Sequence, residues 1–92
     1  NRYGQQNHNQ EQLEELKKQY MHIADKKNWR IIELPNGYYQ AEYKNLENEK
    51  HWVDVTRRET IEGAERAIDS SIDHYKKKLR VFEGPKVVKT FK

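Results

Sequence analysis

Three observations predict an α+β domain, a three-stranded antiparallel sheet flanked by two helices in the order α-β-β-β-α, followed by a basic C-terminal tail or extra edge strand. Apolar residues recur at helical spacing over residues 11–27 and again from Ile61 to Leu79. Between these stretches the period changes to alternation among aromatic and β-branched residues. Leu34-Pro35-Asn36-Gly37 interrupts that alternation with the chemistry of a hairpin turn. The chain has 92 residues, 34% hydrophobic and 36% charged, so its core must be thin. One small domain is expected over residues 11–80, with a flexible polar arm at 1–10 and a basic tail at 81–92.

The arm, NRYGQQNHNQ, holds Tyr3 as its only large apolar side chain and lacks the surface to offset ordering entropy. In the first helix Leu13, Leu16, Tyr20, Ile23 and Ala24 form one stripe, and Glu14, Glu15, Lys17, Lys18 and Asp25 take the other face. Asn9 is placed to cap its start, and Lys26-Lys27-Asn28 reads as its stop.

From Trp29 the segments WRIIEL and YYQAEYK flank the turn. Proline presets φ at the second turn position, and Gly37 suits a left-handed bulge position. In that register Trp29 faces Tyr43, Arg30 faces Glu42, Ile31 faces Ala41 and Leu34 faces Tyr38, which pairs aromatics and opposite charges across the ladder. A two-residue Asn-Gly turn would exchange the two faces. The polar stretch Asn45–Lys50 leads to a third strand, His51–Thr56, with Val53 and Val55 on one side and Trp52 and Asp54 on the other.

Thr60 is placed to cap the second helix, with Glu62 in its first turn and Ile61, Ala64, Ile68, Ile72, Tyr75 and Leu79 on one face. Thr56-Arg57-Arg58-Glu59 offers a competing capping box one turn earlier. Gly84-Pro85 ends any continuation, leaving KVVKTFK as an edge strand or a tail that orders on a partner. The expected core is Leu13, Leu16, Tyr20, Ile23, Ile31, Tyr39, Ala41, Tyr43, Val53, Val55, Ile61, Ala64, Ile68, Ile72 and Leu79.

Recognisable catalytic patterns are missing. No cysteine is present, which removes disulfides, thiolate metal sites and cysteine nucleophiles. His8, His22, His51 and His74 have no ligand spacing, Ser70 and Ser71 sit mid-helix, and the four glycines are too dispersed for a phosphate loop. We therefore expect no enzyme, cofactor or metal. No apolar run exceeds three residues, so no membrane partner is expected, and a cytoplasmic location is the expectation.

The net charge of +3 is unevenly placed. Lys76, Lys77, Lys78, Arg80, Lys86, Lys89 and Lys92 against Glu83 give the C-terminal end +6, while eleven basic and fourteen acidic residues give 1–75 a charge of −3. Such an end attracts polyanions, and cations also suit the last turn of a helix. Together with Arg57 and Arg58 it forms the expected nucleic-acid-binding set, for nucleic acid or a nucleoprotein. Alternatively, the sheet face away from the helices, with Ile32, Leu34, Tyr38 and Trp52 beside Arg30, Gln40 and Asp54, suits a protein partner or base stacking.

The element order over residues 11–79, with Arg57 and Arg58 near the start of the second helix and Arg66 further along, resembles the double-stranded-RNA-binding domain. That resemblance implies phosphate contacts from the helix start, where Glu59, Glu62 and Glu65 stand among the basic residues. Trp29 to Ile68, with Thr60-Ile61-Glu62-Gly63-Ala64, is similar to the arm-binding module of phage and transposon integrases, which implies a sheet laid in the DNA major groove. More generally the short, tyrosine-rich, cysteine-free chain resembles small accessory proteins of tailed phages, which implies inhibition or redirection of a host or defence protein.

Overall fold

A computed structural model describes residues 2–84 and 89–91. The elements are α1 (Arg2–Ile23), a 3-10 turn (Lys26–Asn28), β1 (Trp29–Glu33), β2 (Tyr39–Lys44), β3 (Trp52–Arg58) and α2 (Ile61–Glu83). The predicted α+β class and the order α-β-β-β-α are observed, and the three antiparallel strands lie in the order β1-β2-β3.

The hairpin follows the predicted register, with Trp29 opposite Tyr43, Arg30 opposite Glu42 and Ile31 opposite Ala41. Its turn closes with the Gly37 N–H donating to the Leu34 carbonyl at 2.9 Å and the Leu34 N–H to the Tyr38 carbonyl at 2.7 Å. Gly37 has φ +88°, a conformation that side chains with a Cβ rarely adopt. The Asn-Gly alternative is not used. Between β2 and β3 the Asn45 side chain accepts from the N–H groups of Glu47 and Asn48, both at 2.9 Å, a local turn that returns the chain to Trp52.

α1 has no glycine cap, and its last carbonyls are satisfied from the following segment. The Asn28 side-chain amide donates to the His22 carbonyl at 2.8 Å, and the Trp29 indole N–H donates to the Ile23 carbonyl at 2.7 Å. His22 in turn reaches the Lys44 carbonyl through Nε2 at 2.5 Å; because a carbonyl only accepts, Nε2 carries the hydrogen. These three bonds fix the helix end against both β1 and the end of β2.

The core lies between one sheet face and the two helices. Ile23, Trp29, Ala41, Ile68 and Ile72 form a buried cluster, with Ile31, Tyr43 and Tyr75 packed against it. Ala64, also fully buried, lies one turn before Ile68 on α2.

Several expectations need correction. α1 begins at Arg2, so Asn9 is interior rather than a cap, and the polar stretch 2–10 continues the helix backbone; extending a formed helix adds one bond per residue ordered. Leu13 and Leu16 are not core: they are 47% and 41% exposed. Tyr20 lies against Tyr75 and Phe82, and α2 ends at Glu83, so the earlier turns of α1 pass beyond it. Ile61, the first residue of α2, is exposed, as is Val55 at 44%, where a bulge in β3 breaks the alternation.

β3 continues to Arg58 because Arg57 and Arg58 complete the ladder opposite Gln40 and Tyr39. They are therefore strand residues, and the capping box at Thr56 is not formed. Thr60 is the cap, its hydroxyl accepting from the Gly63 N–H at 2.9 Å. α2 runs three residues past the predicted domain end at 80. Residues 89–91 have no regular structure, and Val87 and Val88 of the possible edge strand lie outside the described residues.

Two groups make stability sensitive to alkali. Burial, and then the neighbouring Tyr75, raise the Tyr43 phenol above its ordinary value of 10.0. Hydrogen bonds to Asp69 and then Glu65, each at 3.0 Å, raise Lys26 above 10.5. Both groups hold their protons more tightly when folded, so their contribution is complete below the unfolded values and is lost as pH rises through the folded ones. The urea midpoint should be insensitive to these groups at neutral pH and fall above about pH 10; Tyr43→Phe should remove part of that fall.

Candidate protein-docking face

Alternation along the strands directs Arg30 and Ile32 of β1, Gln40, Glu42 and Lys44 of β2, and Trp52, Asp54 and Arg57 of β3 away from the core. The pairing arranges them in cross-strand rows: Lys44 beside Trp52, then Arg30-Glu42-Asp54, then Ile32-Gln40-Arg57. Leu34 and Tyr38 extend the face beyond the last of these rows, and the Tyr38 hydroxyl donates to Glu59 at 3.4 Å.

Side chains interlock across all three strands. Arg30 Nε donates to Glu42 Oε1 at 2.8 Å, Gln40 Nε2 donates to Glu42 Oε2 at 2.7 Å, and Arg57 Nε donates to Gln40 Oε1 at 2.8 Å. Arg57 also lies 3.8 Å from the Asp54 carboxylate. The Arg30 guanidinium stands 3.9 Å from the centre of the Trp52 ring, and Lys44 Nζ is 5.9 Å from it. Glu42 and Gln40 are only 6% and 7% exposed, although they face away from the core. Each has its polar atoms paired, which offsets the cost of removing them from water.

Ile32, Leu34, Tyr38 and Trp52 thus share one face, with Trp52 at one end and Leu34 and Tyr38 at the other, Tyr38 exposed and the other three half-buried. Arg57 joins them, while Arg58 points to the helix side. That division follows from the bulge between the Ala41 and Glu42 pairings, which leaves Val55 unpaired and sends Thr56 to the helix side. The role of Glu42 at the centre was not among the sequence expectations. Its pairing with Arg30 was the available signal, whereas its burial depends on Gln40 and the displaced Arg57.

Among the described residues the basic set does not gather into one surface. Lys76, Lys77, Lys78 and Arg80 lie on the C-terminal part of α2, and about 22 Å of helix rise separates Ile61 from Lys76. Lys77 pairs with Asp73 at 3.3 Å, and Lys78 Nζ lies 5.1 and 5.5 Å from the rings of Tyr20 and Tyr75. Lys89 Nζ is 5.0 Å from the Phe91 ring. Lys86 and Lys92 fall outside the described residues.

Among the described residues no group of three His, Asp or Glu side chains is placed to hold a metal ion. Within those residues no helix is long and apolar enough to cross a membrane. Comparison with protein-family models, curated proteins and solved structures gives no match.

Proposed function

We propose that this chain is a non-enzymatic binding module that docks an acidic protein surface on the open face of its sheet. The observation that carries the reading is the interlocked set Arg30-Glu42-Gln40-Arg57, which fixes two arginines and Trp52 in place before any partner arrives. Preorganised Arg, Trp and Tyr side chains lose little freedom on binding, and these residue types dominate the energetics of protein interfaces. Arg30, Lys44 and Arg57 stand on the face against Glu42 and Asp54, three cations to two carboxylates and so +1 over the strands, with Glu59 beside Tyr38 at the edge. That balance favours an acidic counterpart.

Nucleic-acid binding through this face has less support. Base stacking needs a bare aromatic surface, and Arg30 already occupies one side of the Trp52 ring. Asp54, well exposed, stands where a phosphate would approach. The Lys76–Arg80 cluster lies on a different part of the molecule, the C-terminal part of α2.

The test is affinity capture from nuclease-treated lysate with wild type, Trp52→Ala, Arg57→Glu, and the helix double variant Lys76→Glu/Lys77→Glu. The proposal expects a protein retained after nuclease treatment, lost with the two sheet variants and kept with the helix variant. Loss of all partners on nuclease treatment, or dependence on the helix lysines alone, would overturn it.

A further inference from the structure

On the opposite side of β3 from the docking face, a groove runs between that strand and α2. One end holds Arg58, Arg66 and Thr56, the middle is floored by Val55 and edged by Ser70 and Ser71, and the other end reaches Tyr43, His74 and Tyr75. Two cavities make up the groove and share Val55, Ser70 and Ser71. The bulge in β3 turns both Val55 and Thr56 toward it.

We infer that this groove binds a nucleoside phosphate, with the phosphate between Arg58 and Arg66 and the base against the exposed His74 ring. The first support is charge. The chain carries fifteen acidic residues, yet no carboxylate lines either cavity. Among the described residues, neither Arg58 nor Arg66 makes an ion pair; Arg58 is instead tethered through Nη1 to the Thr56 hydroxyl and to the Arg57 carbonyl, the latter at 2.9 Å. Two guanidiniums without carboxylate partners offer the forked donors that a phosphate accepts.

The second support is the close approach at Gly63. A Cβ built there would lie 3.0 Å from the Thr60 hydroxyl and 3.4 Å from Arg58 Cβ. Glycine in a helix is unfavourable by about 1 kcal/mol relative to alanine, and here its bareness leaves room for the Thr60 hydroxyl that caps α2, with the Arg58 stem packed beside it. Arg58 thus lines the groove beside the first turn of α2.

Chemistry and length along the groove agree. From Arg66 to His74 is eight residues of helix, about 12 Å of rise, comparable with the length of a nucleoside monophosphate. Ser70 and Ser71 supply hydroxyls where the sugar would lie. His74 is exposed and stands edge-on to Tyr75, with centres 5.3 Å apart, so its ring face is the one placed to hold a base by stacking.

Calorimetric titration of the full chain with adenosine 5′-monophosphate, adenosine and inorganic phosphate tests the inference. The monophosphate is expected to bind at least about tenfold more tightly than adenosine or phosphate, since each end contributes separately. Arg58→Gln and Arg66→Gln, both at exposed side chains, should each weaken it by about tenfold, as expected for a charged hydrogen bond, while the circular dichroism spectrum is unchanged. Equal affinity for the monophosphate and phosphate, or indifference to both arginine substitutions, would overturn the inference.

Discussion

Replacing Trp29 by alanine is expected to remove the cooperative unfolding transition at room temperature. The indole is buried beside Ile23, Ala41, Ile68 and Ile72, its ring lies 5.3 Å from that of Tyr43, and its N–H closes the end of α1 on the Ile23 carbonyl. Truncating a buried tryptophan costs about 3 to 5 kcal/mol, and a small domain has total stability at the lower end of about 5 to 15 kcal/mol. Both contributions are lost at once, because the same side chain fills the core and caps a helix. Trp29→Phe separates them: it keeps most of the ring and removes the donor, for an expected loss of about 1 to 3 kcal/mol. Urea denaturation followed by far-ultraviolet circular dichroism reads both, with Trp52→Phe as a control that moves the midpoint little. A cooperative transition in Trp29→Ala within about 1 kcal/mol of wild type would show that the helices hold without it.

Trp29 also shows how far the sequence carries the fold. Its place opposite Tyr43 followed from the turn at Pro35-Asn36-Gly37, because proline and glycine there restrict the register, but Trp29 was not among the expected core residues and is found buried there. Its N–H bond to Ile23 did not follow, since it depends on how sharply the chain reverses through the turn at Lys26–Asn28. The stripe of α1 was legible as a period but not as burial. Leu13 and Leu16 share the spacing of Tyr20 and Ile23 yet stay exposed, Leu16 with only Leu46 and Glu47 of the β2–β3 connection across a shallow cavity, and periodicity does not report the length of the helix opposite. The site was half legible in the same sense. Ile32, Leu34, Tyr38 and Trp52 follow from alternation, whereas Arg57 reaches the face and Arg58 the groove through one extra residue at the bulge, which has no glycine to announce it.

That bulge gives the second large effect, at Glu42. Its carboxylate accepts from Arg30 on one oxygen and from Gln40 on the other, and Gln40 accepts from Arg57, so one side chain joins both edge strands through the central one. Glu42→Ala leaves the buried Gln40 amide and the Arg30 guanidinium without their acceptor, for an expected loss of about 2 kcal/mol. The Arg30 part is discounted because that side chain is 43% exposed and its charge is screened by water. Glu42→Gln keeps one acceptor and should lose about half as much. A double-mutant cycle with Arg30→Ala should give a coupling of about 0.5 to 1 kcal/mol in urea denaturation, and additivity of the two single changes would show that the pair contributes nothing to stability. The same substitution separates scaffold from site. Arg30 stands over Trp52 while Glu42 holds it, so in Glu42→Ala the Trp52 emission should shift at urea concentrations where the protein remains folded, and capture of the protein partner should fall even though Arg30 and Trp52 are both still present. Undiminished capture in a folded Glu42→Ala variant would mean that the partner reads the individual side chains and not their preorganised arrangement.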